Sequence, residues 1–100
     1  MNVKNQKFLI LGLSKSGEAA ARYILNKGGK CRLYEEKESP AIKETIDSLS
    51  TLGGVFVFGE EDDQILSDID VVVVSPGVPI NHRLLIKAKE KRILTNAFFH

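Results

Sequence analysis

Gly12-Leu13-Ser14-Lys15-Ser16-Gly17 is the segment of this sequence whose residue types could act together on a ligand. It follows the apolar run Lys7-Phe8-Leu9-Ile10-Leu11 and opens a stretch of helical period. A loop in that context turns backbone N–H groups and the positive end of a helix dipole toward an anion. Lys15 and Ser16 add a cation and a hydroxyl at the same place. The spacing approaches G-x-G-x-x-G, but Ser14 stands where the middle glycine lets a dinucleotide pyrophosphate reach the backbone, which counts against NAD. Walker A places Lys after its second glycine, and Glu18 stands there instead. The plainer alternative is a tight β–α turn whose glycines serve helix–strand packing alone.

Two other loops carry candidates. Glu35 lies 18 residues beyond Gly17 at the end of a second strand, where an acidic residue can accept hydrogen bonds from ribose hydroxyls. Glu36 and Lys37 follow it, and a solvated strand end competes for all three. Ser75-Pro76-Gly77 ends the most β-branched run of the chain. Pro76 stiffens that loop, and Gly77 would permit either a ligand's close approach or a turn with positive φ. Cys31 reads as a core residue, and His82 as a surface or capping residue rather than a base. No nucleophile–base pairing is evident, and one cysteine with two histidines makes no metal cluster. No catalytic residue is assigned.

The elements that must position these loops follow from period and punctuation. Strands are expected at Lys7–Gly12, Cys31–Tyr34, Val55–Phe58, Asp70–Val74 and Arg92–Thr95. Helical period over Ser16–Asn26 places Gly17, Ala20, Ala21, Ile24 and Leu25 on one face, and Gly28-Gly29 stops it. Ser39-Pro40 reads as an N-cap with proline at the first helical position, followed by a stripe of Ile42, Ile46 and Leu49 that ends at Gly53-Gly54. Glu60 to Asp63 reads as a solvated turn before a short helix at Gln64–Ser67. Asn81 is the expected cap of a last helix burying Leu84, Leu85 and Ala88, with Arg83, Lys87, Lys89 and Lys91 outside. Alternation of this kind predicts an α/β, doubly wound, Rossmann-like parallel sheet in the order 3-2-1-4-5. Ligands bind such sheets beyond the carboxyl ends of the strands, at the switch point between strands 1 and 4. The three loops would share that crevice.

Composition limits the function classes. One hundred residues make a single domain, 1–100. With 43% hydrophobic and 27% charged residues the chain is globular rather than disordered. A net charge of +1 offers no field for nucleic acid or an anionic membrane. Val71-Val72-Val73-Val74 is far too short to span a bilayer, and no signal-peptide pattern opens the chain. The expectation is a small cytoplasmic domain.

Two motifs carry a resemblance. Ile10-Leu11-Gly12-Leu13-Ser14-Lys15-Ser16-Gly17 with Ala19-Ala20-Ala21-Arg22, and Val73-Val74-Ser75-Pro76-Gly77-Val78-Pro79 with His82-Arg83-Leu84-Leu85, resemble the N-terminal domain of the Mur ligases, the D-glutamate-adding branch most of all. The similarity runs from Lys7 to about Thr95. It implies a domain that holds the uridine diphosphate (UDP) part of UDP-N-acetylmuramoyl-L-alanine in peptidoglycan synthesis. On that resemblance Lys15 and Ser16, helped by the backbone N–H groups of Gly12–Gly17, would meet the diphosphate. Glu35, Glu36 and Lys37 would occupy the uracil and ribose loop, and Ser75, Pro76 and Gly77 the opposite wall. The chain departs from the family at Ser14 and in Asn96-Ala97-Phe98-Phe99. It also lacks the family's central and C-terminal domains. ATP and Mg²⁺ would belong to the full-length ligase, of which this chain is expected to be the non-catalytic N-terminal part. A nicotinamide-binding domain of an oxidoreductase or redox sensor, and a degenerate interaction module, stay open beside it.

Overall fold

The computed structural model describes residues 3–36, 39–58 and 61–97. Lys37, Glu60 and Phe98-Phe99, all named above, lie outside the described residues. Five strands, β1 (Lys7–Leu11), β2 (Lys30–Tyr34), β3 (Val55–Val57), β4 (Val71–Val74) and β5 (Leu94–Ala97), form one sheet in the order β3-β2-β1-β4-β5. Every pairing is parallel. The doubly wound order expected from the sequence is the observed one.

Period-2 alternation divides the core. Phe8, Ile10, Cys31, Leu33, Val71 and Val73 face helices α1 (Lys15–Asn26) and α2 (Lys43–Thr51). Leu9, Leu11, Tyr34 and Val72 face α3 (Asp62–Ile65) and α4 (Arg83–Glu90). Both faces of β1 and β4 are covered, which is why those strands show no polar alternation. β1 is the middle strand, as the expected order requires, and β4 is interior beside it. Among the described residues no helix is long and apolar enough to cross a membrane.

Several boundaries differ from the sequence expectation, each for a local reason. Helix α1 starts one residue early because Ser14 is its N-cap, the Oγ accepting from Gly17 N–H at 3.1 Å. Pro40–Ile42 form a 3-10 turn without a Ser39 side-chain cap, and α2 begins only at Lys43. Helix α3 starts at Asp62, where Asp62 and Asp63 oppose the dipole's positive end, rather than at Gln64. Its carboxyl end is held from β2, where the Arg32 guanidinium donates to the carbonyls of Gln64, Ile65 and Ser67 at 3.2, 2.8 and 2.9 Å. His82, not Asn81, caps α4, its Nδ1 accepting from Leu84 N–H at 3.1 Å.

The last strand begins at Leu94 because Arg92 is taken up by the helix end. Arg92 has φ 61°, and Ile93 N–H reaches back to the Ala88 carbonyl at 2.9 Å. Helix α1 ends in the same way, with Gly28 in the left-handed position and Gly29 N–H on the Ile24 carbonyl at 2.9 Å. Glycine advertises such an end in the sequence; arginine does not.

Candidate functional site

The carboxyl end of β1 runs into a turn that only glycine can make. Gly12 has φ +92°, and a Cβ there would stand 3.0 Å from Val78 Cγ2 and 3.2 Å from Ser75 Cβ. At Gly17 a Cβ would meet the Gly12 carbonyl oxygen at 2.5 Å and Ser75 Oγ at 2.7 Å. Helix α1 therefore starts against the strand ends. Ser75, 2% exposed, donates its hydroxyl to the Gly12 carbonyl at 2.6 Å, while its N–H donates to the Leu11 carbonyl. The turn after β1 and the turn after β4 are thus one structural unit at the switch point.

Donors in the first loop are partly spent. Gly12 N–H goes to the Tyr34 carbonyl, Leu13 N–H to the Glu35 carboxylate at 3.0 Å, and Gly17 N–H to Ser14 Oγ. The N–H groups of Ser14, Lys15 and Ser16 find no partner among the described residues. Ser14 and Lys15 are exposed and Ser16 half-buried, and Lys15 makes no ion pair among the described residues. Three open N–H groups, a helix N-terminus and one ammonium are the donors that could together receive an anion.

Glu35 stands beside it. One carboxylate oxygen accepts from Leu13 N–H and the other from Glu36 N–H at 3.1 Å, which ties the end of β2 to the loop after β1. Pro76 and Gly77 are exposed on the other side. Pro76 and Gly77 form a turn closed by Val78 N–H on the Ser75 carbonyl at 3.1 Å, but Gly77 does not take the positive φ the sequence allowed; nothing lies within 4 Å of where its Cβ would be. Open space remains for a ligand's approach.

A polar network that sequence reasoning missed lies next to these loops. Glu36 accepts from His82 Nε2 at 2.7 Å and from the Tyr34 hydroxyl at 3.0 Å. Arg83 donates to the Tyr34 hydroxyl and to Asp62, each at 3.0 Å, with its guanidinium 5.7 Å from the Tyr34 ring centre. The hydrogen bond from His82, ahead of that from Tyr34, holds the Glu36 carboxyl below the ordinary carboxylate range. Burial raises the Tyr34 phenol. These residues come from the ends of β2 and the starts of α3 and α4, 46 positions separating Glu36 from His82. The sequence's only signal was His82-Arg83 following the Ser75–Pro79 motif.

A family model described as the Mur ligase MurD-like N-terminal domain matches residues 6–95. The chain belongs to this family. Among curated relatives, the UDP-N-acetylmuramoylalanine--D-glutamate ligase of Thermoanaerobacter sp. (strain X514) is 36% identical over 93 residues, covering 93% of this chain and 20% of that protein. The ligase of the same name from Prochlorococcus marinus (strain MIT 9515) is 38% identical over 100 residues, covering 92% of this chain and 21% of its own. The chain thus spans about a fifth of the length of these relatives. Solved structures similar in fold include dipicolinate synthase from Bacillus halodurans, with TM-score 0.67, 14% identity, and coverage of 96% of this chain and 39% of that one. Apo D-lactate dehydrogenase from Escherichia coli gives TM-score 0.64 at 20% identity, covering 95% and 29%. At such identities the likeness speaks for the Rossmann-type fold alone. The motif-based resemblance to the Mur ligases and the family match agree.

Proposed function

We propose that this MurD-like domain binds the uridine diphosphate part of UDP-N-acetylmuramoyl-L-alanine on behalf of an ATP-dependent ligase that adds D-glutamate. The observation that carries the reading is the cradle of Ser14, Lys15 and Ser16 N–H groups at the start of α1, beside Glu35 and the open face of Gly77. The diphosphate sits on the cradle, with Lys15 supplying the cation. Glu35, Glu36 and Lys37 meet the ribose and uracil. Pro76 and Gly77 wall the other side, while Ser75 and Gly12 hold the two turns together. Ser14 spends its hydroxyl on Gly17 N–H and puts a side chain where dinucleotide folds carry glycine, which favours UDP over NAD.

The domain's part in the reaction is orientation: binding energy far from the reacting carboxylate fixes its position. ATP and Mg²⁺ would belong to the central and C-terminal domains of a longer ligase. Calorimetric titration tests the reading: UDP or UDP-N-acetylmuramoyl-L-alanine should bind in preference to NAD(H). Lys15→Ala should weaken UDP binding by about 1–3 kcal/mol, the scale of a charge-assisted hydrogen bond, with little change in stability. Tighter binding of NAD(H), or an unchanged UDP affinity in the Lys15 variant, would count decisively against it.

A further inference from the structure

We propose that His82 is a positioning residue for the crevice, pinning the Glu36 side of the β2 loop to the start of α4 so that Glu35 and Glu36 are set for the uridine ligand. The inference rests on the UDP reading above and assigns a role to a residue that would not itself touch the ligand. Three observations carry it.

The first is the state of the ring. His82 Nδ1 accepts the Leu84 N–H, so it carries no hydrogen, and the ring proton sits on Nε2, which donates to Glu36 at 2.7 Å. One imidazole thus serves as helix cap and cross-link together. The second is the contrast in exposure. The His82 side chain is 13% exposed and stands edge-on to the buried Tyr34 ring, 6.1 Å between centres at 77°, whereas the Glu36 side chain is 56% exposed. The anchor is fixed, and the anchored carboxylate stays open to solvent.

The third is topology. β2 and β4 both pair with β1, one on each side, so a bond from the residue after β2 to the helix after β4 links the two flanks of the central strand. Glu36 N–H also bonds Glu35, whose other oxygen holds Leu13 N–H in the cradle loop. Restraint at Glu36 therefore passes directly to Glu35. The bond matters electrostatically as well. Two adjacent carboxylates would repel a diphosphate, and the donors from His82, Tyr34 and Arg83 absorb the Glu36 charge.

The experiment is a calorimetric UDP titration of the full 100-residue chain and its variants, each with a thermal melt. His82→Asn keeps a good N-cap but cannot reach Glu36, so it should lower the melting temperature only modestly, by the lost Glu36 bond and Tyr34 contact, while UDP affinity falls about fivefold to tenfold. His82→Gln, whose longer amide can donate to Glu36, should recover most of that loss. Glu36→Ala cuts the same link from its exposed end, and adding His82→Asn to it should cost no further affinity. Unchanged UDP affinity in His82→Asn, no recovery in His82→Gln, or additive losses in the double variant would each overturn the positioning role. A parent chain that binds no UDP would overturn the underlying reading instead, and this inference with it.

Discussion

The hydroxyl of Ser75 donates to the carbonyl of Gly12 across 2.6 Å and 63 positions of sequence, and both groups face Gly17. Removing the hydroxyl leaves a carbonyl without its donor in a closed space. Ser75→Ala should cost about 1–2 kcal/mol in urea denaturation. Gly17→Ala should cost about 2–3 kcal/mol or more, because the new methyl meets backbone as well as Ser75. The double variant should lose less than the sum, since Ser75→Ala removes one of the two clashes.

Gly12 and Gly77 provide a matched contrast. Gly12→Ala forces a side chain into the left-handed region and against Val78, and should destabilise by about 1–3 kcal/mol. Gly77→Ala meets nothing and should stay within about 0.5 kcal/mol of the parent. Comparing the two denaturation midpoints checks the pair. Equal losses would show that the turns are not built as described.

Acid should destabilise the fold through identifiable carboxylates. Arg22 holds Glu18, His82 holds Glu36 and Lys91 holds Asp63 below their ordinary ranges. A carboxyl depressed in the native state stabilises above its unfolded-state pKa, and the contribution disappears as pH falls through the native value. Melting temperature should therefore drop progressively as pH falls below about 5. Glu36→Gln should make that drop shallower, and an unaltered slope would remove Glu36 from the account.

Cys31 lies in the α1 face of the sheet at 4% exposure, and burial pushes its thiol up to about 12. The native chain should be inert to a thiol reagent at neutral pH and react fully once unfolded in urea. Rapid reaction of the native chain would contradict its burial.

The sheet order, the three crevice loops and the two core faces were legible because period and punctuation report burial and turns directly. Gly12, Gly28 and Gly53 marked their own turns. The end of α4 was not legible, since Arg92 takes the left-handed position that glycine usually announces. His82 was readable as a capping residue; its bond to Glu36 was not, because it depends on β2 and β4 flanking β1. Nor did the spacing around Ser75 reveal that its hydroxyl is spent on Gly12 rather than offered to a ligand.

The central place of β1 has a consequence for the order in which the chain can fold during synthesis. Its first partner, β2, is complete at Tyr34, but its other edge stays open until β4 has been made through Val74. Until then Leu9 and Leu11 lack Val72 and helix α4 as cover. A nascent chain stopped before β4 would expose the unpaired edge of its most apolar strand, a template for mispairing that chaperones would have to shield. Pairings that span so much sequence also slow the search for the native state, so folding should complete late, after most of the domain has left the ribosome.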